Sequence, residues 1–116
     1  MCKYAYGVRK TEDILRLVRQ RAAMRILFLP HAVRQMSHAE RMISPSDVRR
    51  AIRRGEVIED YPGDTRGHSC LIMGEDLSGE TIHIVCSPKL DYLAIITAYR
   101  PAEEEWSVDF RLRRKL

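Results

Sequence analysis

The stretch Thr81–Pro101, TIHIVCSPKLDYLAIITAYRP, decides the fold. Ile, Val, Thr and Tyr dominate its two apolar runs, so it reads as two β-strands joined by a proline-bearing turn. Side chains alternate faces along a strand. Ile82 and Ile84 therefore oppose His83 and Val85. Strict alternation sets Leu93, Ile95, Thr97 and Tyr99 against Ala94, Ile96, Ala98 and Arg100. An antiparallel pairing with His83 on the Thr97 and Tyr99 side gathers three polar groups on a mostly apolar sheet. That is a candidate site.

Upstream, the period is also two. Val57–Tyr61 and His68–Gly74 read as strands, and Glu75–Glu80 (EDLSGE) reads as a hairpin loop with Gly79 free for positive φ. Before Gly55 the pattern is helical. Thr11 is placed to cap a helix over Glu12–Met24, with Ile14, Leu17, Val18 and Ala22 as its apolar stripe. Ile26–Leu29 is a short edge strand ended by Pro30. His31–Met42 favours helix again, with His31, Arg34, His38 and Arg41 on one face if that helix is unbroken. Ser44-Pro45-Ser46-Asp47 is the clearest start signal, a cap, a first-turn proline and a capping-box acid. Val48, Ala51 and Ile52 would face the core, and Arg49, Arg50, Arg53 and Arg54 would face out. Residues 1–10 lack periodicity and read as a flexible arm before a single domain over 11–116. Ala102–Trp106 suits a short helical turn before a basic tail. Helices followed by strands predict an α+β domain, its N-terminal helices packed on one face of a four-stranded, or slightly larger, antiparallel sheet.

At 116 residues, with 45% hydrophobic and 31% charged side chains, the chain suits one soluble domain with a modest core. The net charge of +4 conceals a split. Residues 1–54 hold 13 basic and 4 acidic side chains, and residues 55–110 hold 3 and 12. Such asymmetry suits a basic face for a polyanion, or two surfaces that attract another subunit. Cys2, Cys70 and Cys86 form an odd set without CxxC spacing, and the latter two read as buried free thiols. A cytoplasmic protein follows, with no signal peptide and no membrane-spanning run. His31 and His38 would stand about 10 Å apart along a helix, too far to share one metal ion, and neither HxxE nor HExxH occurs. No metal or other cofactor is expected.

From Leu29 to Phe110, FLPHA, RMISPSDVRRAI, GEVIEDYP, SCLIMG, IHIVC and ITAYRP, followed by Trp106, jointly resemble a bacterial domain-of-unknown-function family, number 4258. That family is thought to share the fold of small RelE-like and BrnT-like toxins, with helices on a curved antiparallel sheet. The resemblance implies an RNA-cleaving toxin or a non-catalytic relative, with a cognate antitoxin-like protein or a second copy as partner. By position it implies roles for His31, Arg41, His83, Thr97, Tyr99 and Arg100. One departure stands out: residues 38–42 (HAERM) read like a second copy of the helix motif, so either His31 or His38 faces the sheet.

Metal-free RNA cleavage needs a base for the 2′-hydroxyl, an acid for the leaving oxygen and a cation for the phosphate. His83 suits base or acid, Tyr99 proton donor, Arg41 or Arg100 cation, and Thr97 an orienting group. Arg34, His38, Arg49, Arg53 and Arg100 form the expected nucleic-acid contacts. The competing expectation is a non-catalytic binding or regulatory protein in which a hydrogen-bonded His83 is structural.

Overall fold

The computed structural model describes residues 3–39 and 42–114. Its elements are α1 (Lys3–Met24), β1 (Ile26–Phe28), α2 (Pro30–Met36), α3 (Pro45–Arg54), β2 (Glu56–Tyr61), β3 (Ser69–Glu75), β4 (Thr81–Pro88) and β5 (Leu93–Tyr99). They form an α+β domain with a five-stranded sheet in the order β1-β5-β4-β3-β2. The sheet is mixed rather than antiparallel throughout. β2, β3, β4 and β5 make the expected antiparallel set, and the edge strand β1 adds parallel to β5 with Ile26 opposite Leu93.

All three helices lie on one face. Ile14 and Val18 of α1, Ala32 and Met36 of α2, and Val48, Ala51 and Ile52 of α3 join Cys70, Ile72, Ile82, Ile84, Cys86, Leu93, Ile95 and Ala98 in one core. Burying that many aliphatic side chains, at roughly 1.5–3 kcal/mol each, is the main force holding the layers together.

The start of α3 follows the sequence reading in detail. Asp47 N–H donates to Ser44 Oγ (3.0 Å), and Ser44 N–H donates to Asp47 Oδ2 (2.8 Å). Asp47 Oδ1 also accepts from Leu77 N–H at 2.9 Å, which ties the helix start to the β3–β4 hairpin.

Three local expectations change. α1 continues upstream of Thr11, which lies inside the helix rather than at its start; no proline interrupts the preceding residues. α2 stops at Met36, not Met42. The Ser37 hydroxyl and N–H both bond back to the Val33 carbonyl, and the Ile43 N–H then takes the Met36 carbonyl. Turning there delivers Ile43 into the core, where it is buried. Thus His31 and Arg34 are on α2, His38 lies beyond it, and the continuous four-residue stripe does not form; Arg41 lies outside the described residues. Finally, β5 carries a bulge. Val85 faces Thr97 but Cys86 faces Ile95, so Ile96 is the extra residue. The bulge puts Leu93 and Ile95 on the helix side while Thr97 and Tyr99 stay on the other. Strict alternation along 93–99 fails at that residue.

Candidate functional site

The sheet face opposite the helices carries the expected trio. His83 pairs directly with Tyr99, and Val85 with Thr97. β2 adds two groups to the same face, because its own bulge between Val57 and Glu59 places Glu59 opposite Leu71 and Tyr61 opposite Ser69. The segment after β5 folds across one end of this face and brings Trp106, Phe110 and Arg113 onto it.

His83 sits at the centre and is wholly buried. Trp106 meets its ring edge-on at 4.4 Å, and Tyr99 does so at 5.3 Å. Nε2 donates to the Phe110 carbonyl oxygen at 2.9 Å, and Nδ1 accepts from the Tyr99 hydroxyl at 3.2 Å. Those roles follow from the partners, since a carbonyl can only accept. Burial pushes the imidazole pKa down to about 4, against the opposing pull of the Phe110 carbonyl and Glu59. At neutral pH the ring is uncharged.

Around it, Glu59, Tyr61 and Arg113 form a closed set. Arg113 grips Glu59 with two nitrogens, at 2.9 and 3.1 Å, and its guanidinium lies 4.6 Å above the Trp106 ring. The Tyr61 hydroxyl donates to Glu59. Partial burial alone would raise the Glu59 carboxyl, but Arg113 and Tyr61 outweigh it and hold the group ionised. Burial and the neighbouring Glu59 push the Tyr61 phenol up to about 12. Burial also raises Tyr99.

The other sequence-predicted residues lie elsewhere. His31 and Arg34 are exposed on α2, on the helix side, so the sheet separates them from His83, and His38 is exposed in the turn beyond α2. Arg49 and Arg53 are exposed on α3. Arg100 faces away from His83. It donates to Asp76 Oδ2 (2.8 Å) and to the Met42 carbonyl (3.1 Å), and lies 3.3 Å from Glu80. Asp76 is buried and also accepts from the Ser78 and Glu80 N–H groups, so Arg100 braces the hairpin turn at Gly79.

Glu59, Tyr61, Trp106 and Arg113 carry no site signal in the sequence reading. The i, i+2 spacing of Glu59 and Tyr61 does mark a shared strand face, but nothing in the basic tail singles out Arg113. Among the described residues, no three His, Cys, Asp or Glu side chains gather to hold a metal ion. None of the described helices is long and apolar enough to cross a membrane.

A family described as a domain of unknown function (DUF4258) matches residues 28–100, well over half of the chain. The chain belongs to that family. The matched segment of this DUF4258 member runs from the end of β1 to Arg100. It includes His83, Tyr99, Glu59 and Tyr61, and leaves α1 and the covering segment with Trp106 and Arg113 outside. No curated protein and no solved structure matches the chain.

Proposed function

We propose that this DUF4258 member is a binding protein that engages a negatively charged macromolecular partner on its helical side, with His83 in a structural role. The state of the His83 cluster carries this reading. Acid–base catalysis works best with groups that titrate near the working pH. Here the histidine is sealed and held neutral, the carboxylate is held ionised, and the phenol is held protonated. Each is occupied by another member of the set. In contrast, Arg34, Arg49 and Arg53 are exposed on α2 and α3 and make no hydrogen bond or ion pair among the described residues. A cytoplasmic setting fits Cys70 and Cys86, which are cross-strand partners carried as buried free thiols.

The deciding experiment is RNA integrity after incubation with the purified protein in EDTA, beside a His83→Gln variant. Intact RNA in both lanes is expected. Cleavage by the wild type alone would overturn the binding reading.

One observation favours a second reading, a metal-independent ribonuclease of the RelE-like toxin type. A carboxylate, two phenols and an imidazole share one sheet face with the Arg113 guanidinium laid over them. Such a set could cleave RNA if the covering segment loosened enough to admit it while Arg113 stayed in reach. Trp106→Ala, which loosens the segment but keeps Arg113, would then switch cleavage on.

A further inference from the structure

The geometry points to a docking site for an extended acidic segment of a protein partner, formed by the open edge of β1 and the adjoining groove between α1 and α3. It rests on the binding reading above and names its partner class.

Two independent features meet at Ile26. The first is a groove of about 470 Å³ with a floor of Ala22, Ala23, Ile26 and Ile52 and a rim of Arg19, Arg49 and Arg53. Arg19 is committed to the end of α3, donating to the Ile52 and Gly55 carbonyls at 2.9 and 3.0 Å. Arg49 and Arg53 make no hydrogen bond or ion pair among the described residues. Met24 and Leu27, at the neighbouring α1–β1 junction, leave large apolar side chains in water. An apolar trough rimmed by arginines suits a ligand with aliphatic anchors and carboxylates.

The second feature is the strand edge. Arg25 O accepts from Leu93 N–H, and Leu29 N–H donates to Ile95 O. In a parallel ladder the alternate residues between them, Ile26 and Phe28, point their N–H and C=O groups the other way, toward the open side. A strand added there would satisfy those groups and lay alternate side chains beside the groove.

The chemistry favours protein over RNA. Among the described residues the lining holds no aromatic ring on which a base could stack, and Arg49 and Arg53 alone make a small phosphate footprint.

The test is fluorescence anisotropy with a labelled peptide of alternating leucine and glutamate, compared with its leucine–lysine counterpart and with labelled oligouridylate. NMR would follow the Ile26 and Phe28 amides. The acidic peptide alone should bind. Those two amides should shift and gain protection from exchange. The double variant Arg49→Glu, Arg53→Glu should weaken binding by roughly tenfold or more. A double lysine variant should retain most of it. Both positions are exposed, so circular dichroism should show an intact fold.

Absence of peptide binding, preference for oligouridylate, or binding that leaves Ile26 and Phe28 unmoved would each overturn the proposal. Self-association of the wild type that the double glutamate variant abolishes would also overturn it, by making a second copy the occupant. These failures differ from that of the parent reading, which falls only if the protein cleaves RNA.

Discussion

The Nε2 of His83 lies 2.9 Å from the Phe110 carbonyl oxygen, so one proton joins the middle of the sheet to the segment that covers it. Protonating Nδ1 as well would make the Tyr99 hydroxyl turn from donor to acceptor and place a charge in a buried site. The folded ring titrates at about 4, and an unfolded one near the usual 6.5. Above pH 6.5 both states are neutral and this group gives no pH dependence. As pH falls from 6.5 toward 4, the unfolded chain takes up the proton first and stability is lost, by roughly 3 kcal/mol. Denaturant unfolding across that window measures the slope. His83→Gln should be less stable at neutral pH but show a flatter acid slope; an unchanged slope would assign it to carboxylates instead.

Arg113 works as a latch, clamped between Glu59 and the face of Trp106. Trp106 is the single tryptophan of the chain and is buried, so its emission reports this one contact. Arg113→Ala should shift that emission to the red and cost about 1–2 kcal/mol, the pair being partly exposed. Trp106→Ala removes the whole anchor and should cost roughly 3–5 kcal/mol. Emission that stays blue in Arg113→Ala would show that the segment holds without its latch.

How much of this was legible in advance depends on the range of the interaction. The α3 capping box, the strand identities and the shared face of His83, Thr97 and Tyr99 follow from local periodicity and short-range bonds. The bulge at Ile96 was not legible, because an extra residue inside an apolar run leaves the composition unchanged. The parallel pairing of β1 with β5 joins segments far apart in sequence, and a three-residue run carries little register information. Arg100 illustrates the limit for sites. Its place in a strand motif suggested an anion contact, whereas its partner Asp76 sits in a loop whose importance is set by burial.

Gly74 of β3 packs directly against Ala51 of α3. A Cβ built there would stand 2.6 Å from the Ala51 Cβ and 2.7 Å from its Cα, atoms that cannot rotate away. Gly74→Ala should therefore cost about 1–3 kcal/mol by forcing the layers apart. Adding Ala51→Gly should recover part of the loss, less the penalty for glycine in a helix. Thermal unfolding of the two variants checks this. Equal melting of wild type and Gly74→Ala would mean that α3 slides freely over the sheet.

Arg100 and Arg49 should separate stability from binding. The Arg100 guanidinium meets a carboxylate that is only 5% exposed, and burial there raises the carboxyl less than its N–H partners and Arg100 lower it. Asp76 is thus ionised in a buried turn. Arg100→Ala strands that charge and should cost about 3 kcal/mol, while Arg100→Lys restores the charge but not the second bond to the Met42 carbonyl. Arg49→Ala, on an exposed helix face, should change stability by less than about 0.5 kcal/mol. Binding of the leucine–glutamate peptide should show the reverse, weakened by Arg49→Ala and unchanged by Arg100→Ala once folding is corrected for. If Arg100→Ala unfolds normally yet loses binding, Arg100 belongs to the interaction surface and the hairpin stands without its brace.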